Sequence, residues 1–382
     1  MPKIPKVILL IETSRAFGRG ILRGITRYSR LHGPWVFYRE VGGLEKALPR
    51  LKDWRANGII MRDSTTGKKA LKPEFPVIVL VHFKGPRGVY PFIVPDDISI
   101  GRMAAEHFLE RGFRHFGFCG FDDFYWSRGR LQSFNEAISD AGFKVHVYKQ
   151  PKSRRERSWD REQMLMAKWF RSIPKPLAVL ACNDDRGLHV TEACKTVGLR
   201  APEDVAIIGV DNDDIVCELC DPPLSSVAVN TERAGYEAAE LLDKMMAGRK
   251  MKNKNIIVHP THIVTRQSTD ILAIEDHEVA QAVRFIRQHA KEPIQVTDVV
   301  DAAALSRRVL EKRFRKVLNH SVLEEIRRVR IDRVVRMLVD TNLSVSKIAS
   351  ALGYPSVKHI ARYFRREKMM SLVAYRKQYG RK

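Results

Sequence analysis

Along the first 270 residues, short apolar runs alternate with longer stretches in which apolar side chains recur every third or fourth position. The runs read as strands: KVILLIE (6–12), WVFYRE (35–40), GIIMRD (58–63), PVIVL (76–80), HFGFCG (115–120), KVHVYKQ (144–150), LAVLACND (177–184) and VAIIGVDND (205–213). The intervening periodicity predicts helices near 19–31, 99–111, 128–141, 160–172, 186–197 and 231–247. Runs such as VILLI and AVLAC lack polar alternation, as central strands covered on both faces by helices require. Strand alternating with helix predicts parallel sheets joined by right-handed crossovers. Two such repeats predict two α/β lobes, roughly 6–114 plus 225–270 and 115–224, within a ligand-binding domain over 1–270. A ligand then belongs at the carboxyl ends of the strands, where the loops converge.

The pattern changes over 271–278, which reads as a linker. From 279 to 382 only helical periodicity remains, beginning with VAQAVRFIRQHA, which puts Val279, Val283 and Ile286 on one face. Two segments of this all-helical domain share a layout: VTDVVDAAALSRRVLEKRFRKVL (296–318) and LSVSKIASALGYPSVKHIARYFRRE (343–367). Each predicts a short helix, a tight turn and a second helix, apolar on one face and basic on the other. They are separated by one long helix over 324–339. In the second segment Ile348, Ala349 and Leu352 face inward, Gly353 permits the turn, Ser356 caps the following helix, and Ile360 and Phe364 anchor it. In the first segment Ser306, Leu310 and Phe314 take the corresponding roles.

Charge sharpens this picture. The 382-residue chain carries a net charge of +23, which attracts polyanions. From His277 onward about 24 Lys or Arg face about 10 Asp or Glu, so the helical domain holds more than half of the excess. That skew points to double-stranded DNA as a partner. No apolar run is long enough to span a membrane, and the run near the N-terminus is too short for a secretory signal. A cytoplasmic protein is expected. Cys119, Cys182, Cys194, Cys217 and Cys220 suit a reducing compartment, and the lone Cys217-x-x-Cys220 pair reads as packing, not metal or redox chemistry. No phosphate-binding loop, HExxH pair or nucleophile elbow is present, which argues against an enzyme, and no cofactor is expected.

The helical domain resembles the AraC-type double helix-turn-helix domain. IASALGYPSVKHIARYFRREKMMSLVAYRK (348–377) matches its second half at Ile348, Ala349, Gly353, Tyr354, Ser356, Arg362, Phe364, Arg365, Arg366, Ser371, Tyr375 and Arg376. The resemblance implies that the second helix of each unit enters a major groove. The readers it implies are Arg307, Arg308 and Lys312 in the first unit and Lys358, His359 and Arg362 in the second, with Arg365 and Arg366 alongside. Arg327, Arg328, Arg330, Arg333 and Arg336 line the connecting helix, where phosphate contact is the natural expectation. The chain departs from the family pattern at Ala304 and Met369, where glycine is usual, at Leu372, where proline is usual, and at Pro355.

Residues 1–270 resemble the sensor domain of LacI-type repressors and the periplasmic sugar-binding proteins. ETSRAFGRGILRGI (12–25), SRGRLQSFNEA (127–137), ACNDDRGLHV (181–190), VAIIGVDNDD (205–214) and DPPLSSVAVN (221–230) carry the likeness through their order and spacing. The resemblance implies a sugar ligand, whose vicinal hydroxyls need planar, bidentate partners. By position these are Arg130, Asn183 and Asp211, each of which also suits a structural role such as capping the next helix. Glu12 and Thr13, or the loop through Ser14 and Phe17, close the site from the first lobe. Trp126, Phe83 and Phe124 are candidates to stack on a sugar face or to pack in the core. A LacI-like sensor ahead of an AraC-type reader is the arrangement of bacterial xylose-operon activators. That likeness implies a homodimer with D-xylose as effector, acting on promoter DNA and RNA polymerase. Another pentose or polyol, or repression, fits the residues as well.

Overall fold

The computed structural model describes residues 4–40, 54–63, 75–83, 90–151, 157–249, 255–274 and 276–380. Two six-stranded sheets organise the first two thirds of the chain. The first runs, in spatial order, β2 (Val36–Arg39), β1 (Lys6–Leu10), β3 (Gly58–Arg62), β4 (Val77–Leu80), β5 (Phe92–Pro95) and β11 (Ile256–Val258), all parallel. In register, Ile8 lies between Tyr38 and Ile59. Helices α1 (Ala16–His32) and α7 (Thr231–Met246) pack side by side on one face of it. Glycines set that spacing: a Cβ on Gly24 would lie 1.9 Å from the Glu232 carbonyl, and one on Gly235 would lie 2.0 Å from that of Ile21.

The second sheet runs β7 (Val145–Val147), β6 (His115–Cys119), β8 (Leu177–Ala181), β9 (Val205–Val210), β10 (Ser225–Val229) and β12 (Pro260–Val264). Its strands are parallel except β12, which runs antiparallel to β10. Helices α2 (Asp97–Leu109), α3 (Tyr125–Asp140), α4 (Trp159–Arg171), α5 (Asp184–Thr196) and the short α6 (Asp214–Leu219) belong to this lobe.

The sequence-based division of the lobes is corrected in two places. Helix α2, expected in the first lobe, buries Ile100, Ala104 and Phe108 against Phe116 and Phe118 of the second sheet. Strands β10 and β12, also expected in the first lobe, complete the second sheet. Local periodicity shows which face of an element is apolar but not which sheet that face meets. The chain therefore crosses between lobes three times, after Pro95, after Val229 and after Val258.

Residues 271–274 are packed, not slack. Ile271 and Ala273 lie against the second lobe's core, the Ala273 amide donates to the Arg111 carbonyl at 2.8 Å, and Ile274 is buried against the helices that follow. Those helices are α8 (His277–Gln288), α9 (Val296–Ala302), α10 (Arg307–Leu318), α11 (Val322–Asp340), α12 (Val345–Ala351), α13 (Val357–Lys368) and α14 (Leu372–Tyr379). They form two small cores joined through α11. Val322 and Ile326 sit in the core of α8–α10, while Val334, Val335 and Leu338 sit in that of α12–α14. No described helix is long and apolar enough to cross a membrane.

Candidate functional site

The carboxyl ends of the parallel strands of both sheets face each other across a cleft. Its walls include Glu12 and Phe17 from the β1–α1 segment, Arg62 at the end of β3, His82 after β4, Trp126 and Arg130 on α3, and Asp211 after β9. Arg130 is the organising cation. Buried, it donates through Nε to Asp97 Oδ1 at 3.1 Å and through Nη1 to the Cys182 carbonyl at 2.5 Å. Its guanidinium lies over the Trp126 ring at 4.9 Å, and its Nη2 stands 3.8 Å from Asp211 Oδ1.

That last distance is too long for a hydrogen bond, and Asp211 Oδ1 is buried with no hydrogen-bond partner among the described residues. Burial pushes the Asp211 carboxyl up to about 6 against the opposing pull of Arg130 and Arg15. Burial likewise raises Asp97 to about 7, despite its contact with Arg130. Asp211 and Asn212 have φ of +100° and +50°, a backbone that non-glycine residues adopt at a cost and that clusters at functional sites. The strained turn places a buried carboxylate oxygen, unsatisfied among the described residues, at the wall of a cleft that an aromatic ring also lines. A hydroxyl-rich ligand satisfies both features at once.

The first lobe contributes Glu12, held by the Ser14 amide at 2.9 Å and facing Arg62 at 3.9 Å. The Ser14 amide keeps the Glu12 carboxyl below its ordinary range. Burial, with Arg62 and Arg15 nearby, lowers His82 to about 3, so its imidazole is neutral. Phe124 stacks on Trp126 at 5.3 Å, and Phe83 meets Phe124 at 5.6 Å, which joins the lobes through one aromatic cluster. Two latches cross the mouth. Arg15 pairs with Asp185 at 2.5 Å, and Asp213 accepts from Arg19 and from the Ala16 amide, both at 2.7 Å.

Of the residues singled out from sequence, Glu12, Phe17, Trp126, Arg130 and Asp211 meet at the cleft. Asn183 does not line it. Its Oδ1 accepts from the Arg186 amide at 3.0 Å as the cap of α5, and its Nδ2 donates to Asp185 at 3.3 Å. Thr13 and Ser14 support the first loop: Thr13 Oγ1 accepts from Arg39, and both carbonyls accept from Arg19. Phe83 packs with His82 and Arg62 behind the wall. Sequence reasoning passed over Arg15, Arg62 and His82. The last two had a signal, a charged or imidazole group directly after an apolar strand.

In the helical domain, Arg307, Arg308 and Lys312 on α10 and Lys358, Arg362, Arg365 and Arg366 on α13 are all exposed. His359 is half-buried between Tyr354 and Tyr363. Phosphate contact expected from the whole connecting helix is corrected for two residues. Arg328 is engaged by Glu325 and by Glu110, the residue that caps the end of α2, and Arg330 lies over Tyr354 at 4.3 Å while donating to the Leu352 carbonyl. Both look inward because carboxylates, rings and carbonyls distant in sequence converge on them.

Residues 105–269 match the periplasmic binding protein-like domain, and residues 299–378 match a helix-turn-helix domain. Sensor cleft and paired helix-turn-helix units together define a sugar-responsive, DNA-binding transcription regulator and not an enzyme. The xylose operon regulatory protein of Haemophilus influenzae is 30% identical over 290 residues, 75% of each chain. That of Escherichia coli K12 is 27% identical over 370 residues, 94% of each. The chain belongs to the family of xylose operon regulatory proteins. A solved structure of a xylose-binding transcription activator shares the fold over 100% of both chains, with TM-score 0.62 and 24% identity. A CelR–cellobiose complex covers 70% of this chain with TM-score 0.56.

Proposed function

We propose that this protein is a D-xylose-dependent activator of sugar-catabolic genes, working as a cytoplasmic homodimer that binds promoter DNA and engages RNA polymerase. The observation that carries the sugar reading is the Asp211 oxygen, without a partner among the described residues, beside an Arg130 guanidinium that lies over Trp126. A pentose presents adjacent hydroxyls that donate to Asp211, accept from Arg130 and leave an apolar ring face for the indole. Arg130, Asp211, Glu12, Trp126 and Phe17 are the assigned binding residues, with Asn183, Thr13, Ser14 and Phe83 supporting them. Arg307, Arg308, Lys312, Lys358, Arg362, Arg365 and Arg366 are the assigned DNA-facing residues, His359 contributing from a more enclosed position. Both curated relatives are named for the xylose operon, which favours xylose over other pentoses.

Titration calorimetry against a sugar panel headed by D-xylose tests this directly. Saturable heat with D-xylose, lost in Asp211→Ala while operator binding persists, is expected. Heat with a different sugar replaces the effector, and no heat with any sugar removes the sugar reading. A promoter–reporter strain deleted for the gene separates activation, where xylose-induced expression falls, from repression, where uninduced expression rises.

A further inference from the structure

The three crossings between lobes form a hinge, and they are knitted together. The Asp96 amide donates to the Val258 carbonyl at 3.0 Å, the Asn230 amide donates to the His259 carbonyl at 2.9 Å, and His259 Nδ1 pairs with Asp96 Oδ2 at 2.9 Å. His259 of the third crossing thus meets a residue of each of the other two. The last helix of the DNA-binding domain sits on this junction. Asn230 Nδ2 donates to the Tyr379 carbonyl at 2.5 Å, and Arg233 donates to the carbonyl of Lys377. The His259 ring meets Tyr379 edge-on at 5.6 Å, and Tyr375 Oη donates to the Thr261 carbonyl at 3.4 Å. From there packed rings lead to the DNA-facing surface. Tyr379 lies 4.4 Å from Tyr375, and Tyr375 lies 5.2 Å from Phe364, the buried anchor of α13.

We propose that α14 is the coupling element of this regulator: it senses the angle between the lobes at Asn230 and His259 and passes it through Tyr379, Tyr375 and Phe364 to the recognition helix α13. The inference rests on reading the cleft as an effector site. Its physical basis is that residues at a hinge change backbone geometry when the lobes move, and hydrogen bonds at 2.5 Å and 2.9 Å hold only one such geometry. An effector that prefers one lobe angle then biases the placement of α13.

The test uses the full chain, operator anisotropy with and without D-xylose, and calorimetry for the sugar. Asn230→Asp keeps the acceptor that caps α7 (Asn230 Oδ1 takes the Arg233 amide at 3.3 Å) but removes the donor to Tyr379. Tyr379→Ala removes the ring against His259. Coupled sites typically change each other's affinity by about 5- to 150-fold, and in both variants the sugar-dependent change in operator affinity should fall below about 2-fold. Sugar affinity and sugar-free operator affinity should stay near wild type. A wild-type sugar response in both variants overturns the proposal, as does a parallel loss of sugar binding, which would put these residues in the pocket instead.

A second arm needs no sugar. Asp213→Ala removes the latch to Arg19 and Ala16 and so favours opening of the lobes. It should shift operator affinity in the wild-type background and not in Asn230→Asp. Additive effects of the two substitutions would disprove coupling through Asn230. Silence of wild-type protein toward every sugar, with this second arm intact, would instead overturn only the identity of the effector.

Discussion

The two helix-turn-helix units fill the same scaffold positions with different chemistry. Ser306 and Ser356 cap the recognition helices, Leu310 with Phe314 and Ile360 with Phe364 anchor them, and Asn319 and Met369 end them in left-handed backbone. Ser321 and Ser371 then cap α11 and α14. One turn into those helices the units part company. The first places Glu325, fully buried, where it accepts from Arg328 Nη2 at 2.7 Å and pairs with His320 Nε2 at 2.9 Å. The second places Tyr375, whose ring packs on Phe364 and whose hydroxyl reaches Thr261 of the sensor. The first unit is stapled by charge, through Arg328 to Glu110 at the end of α2, and the second by aromatic packing that continues to the hinge. The same fold can therefore be held independently of the sensor's hinge in one copy and in contact with it in the other.

Removing the polar group that each unit places at this position should break this symmetry most visibly. Glu325→Ala leaves Arg328 and His320 without their buried partner, a change that typically costs about 3–5 kcal/mol. Tyr375→Phe loses only a long hydrogen bond, worth about 0.5–1.5 kcal/mol. Thermal unfolding of the full chain should show a much larger drop in Tm for the first variant. Equal drops would mean that Glu325 is not the first unit's staple. The pH dependence follows the same division. Buried Glu325 is held at about 2, against an ordinary 4.5, by Arg328 and His320. A carboxylate depressed in the fold contributes stability above its unfolded value and loses it as pH falls from about 4.5 toward 2. His320 is raised by Glu325 against the opposing effect of burial, so its contribution is present below about 6.5 and fades as pH rises through its folded value. Glu325→Gln should flatten both slopes in a series of denaturation curves.

Operator binding compares the units at a middle scale. Lys312 and Arg362 occupy corresponding exposed positions on α10 and α13. Replacing either by Ala should weaken binding by about 1–3 kcal/mol if it reads a base, or lower the salt slope by about 1 if it meets a phosphate. His359→Ala should do less, because its ring is half-buried against Tyr354 and Tyr363. Anisotropy titrations at several salt concentrations distinguish the cases. Loss with Arg362→Ala and none with Lys312→Ala would mean that only the second unit engages its groove.

How far the sequence disclosed all this depended on whether the signal was local. VILLI and AVLAC were readable because a buried parallel strand is apolar throughout. The reader was readable because cap, anchor and turn residues fall at fixed spacings. Strand β10 was hidden by Ser225 and Ser226, both buried, whose hydroxyls are satisfied by Arg266, Thr269 and Asp184. The placement of α2 was invisible because amphipathicity names a face and not its partner. At the cleft, Arg130, Trp126 and Asp211 were legible from strand-end position and family likeness. The capping role of Asn183 is a local contact that its position already suited, whereas the closure of the mouth by Arg15 and Asp185 depends on a contact between lobes that no local pattern encodes. Arg328 read as a phosphate contact until the fold brought Glu110 to it.

The smallest expected effects concern the left-handed positions, and they sharpen the comparison between units most finely. Ala304 and Gly353 turn the chain before each recognition helix with φ of +51° and +63°, and Asn319 and Met369 end the helices with φ of +62° and +54°. Leu305 alone separates Ala304 from the cap Ser306, whereas Tyr354 and Pro355 separate Gly353 from Ser356. An ordinary L-residue pays about 1–2 kcal/mol in this region, while Gly and, less fully, Asn are spared. Met369 is 84% exposed, so no burial compensates. Glycine there relieves the strain but adds freedom to the unfolded chain, for a net gain of about 0.5–1 kcal/mol. Met369→Gly should raise Tm slightly, Ala304→Gly should do the same, and Asn319→Gly should leave it nearly unchanged. Gly353→Ala should lower it, since the added Cβ meets strained backbone and Pro293 Cδ at 3.2 Å. A lower Tm for Met369→Gly would show that the Met369 side chain contributes a contact that outweighs its backbone strain.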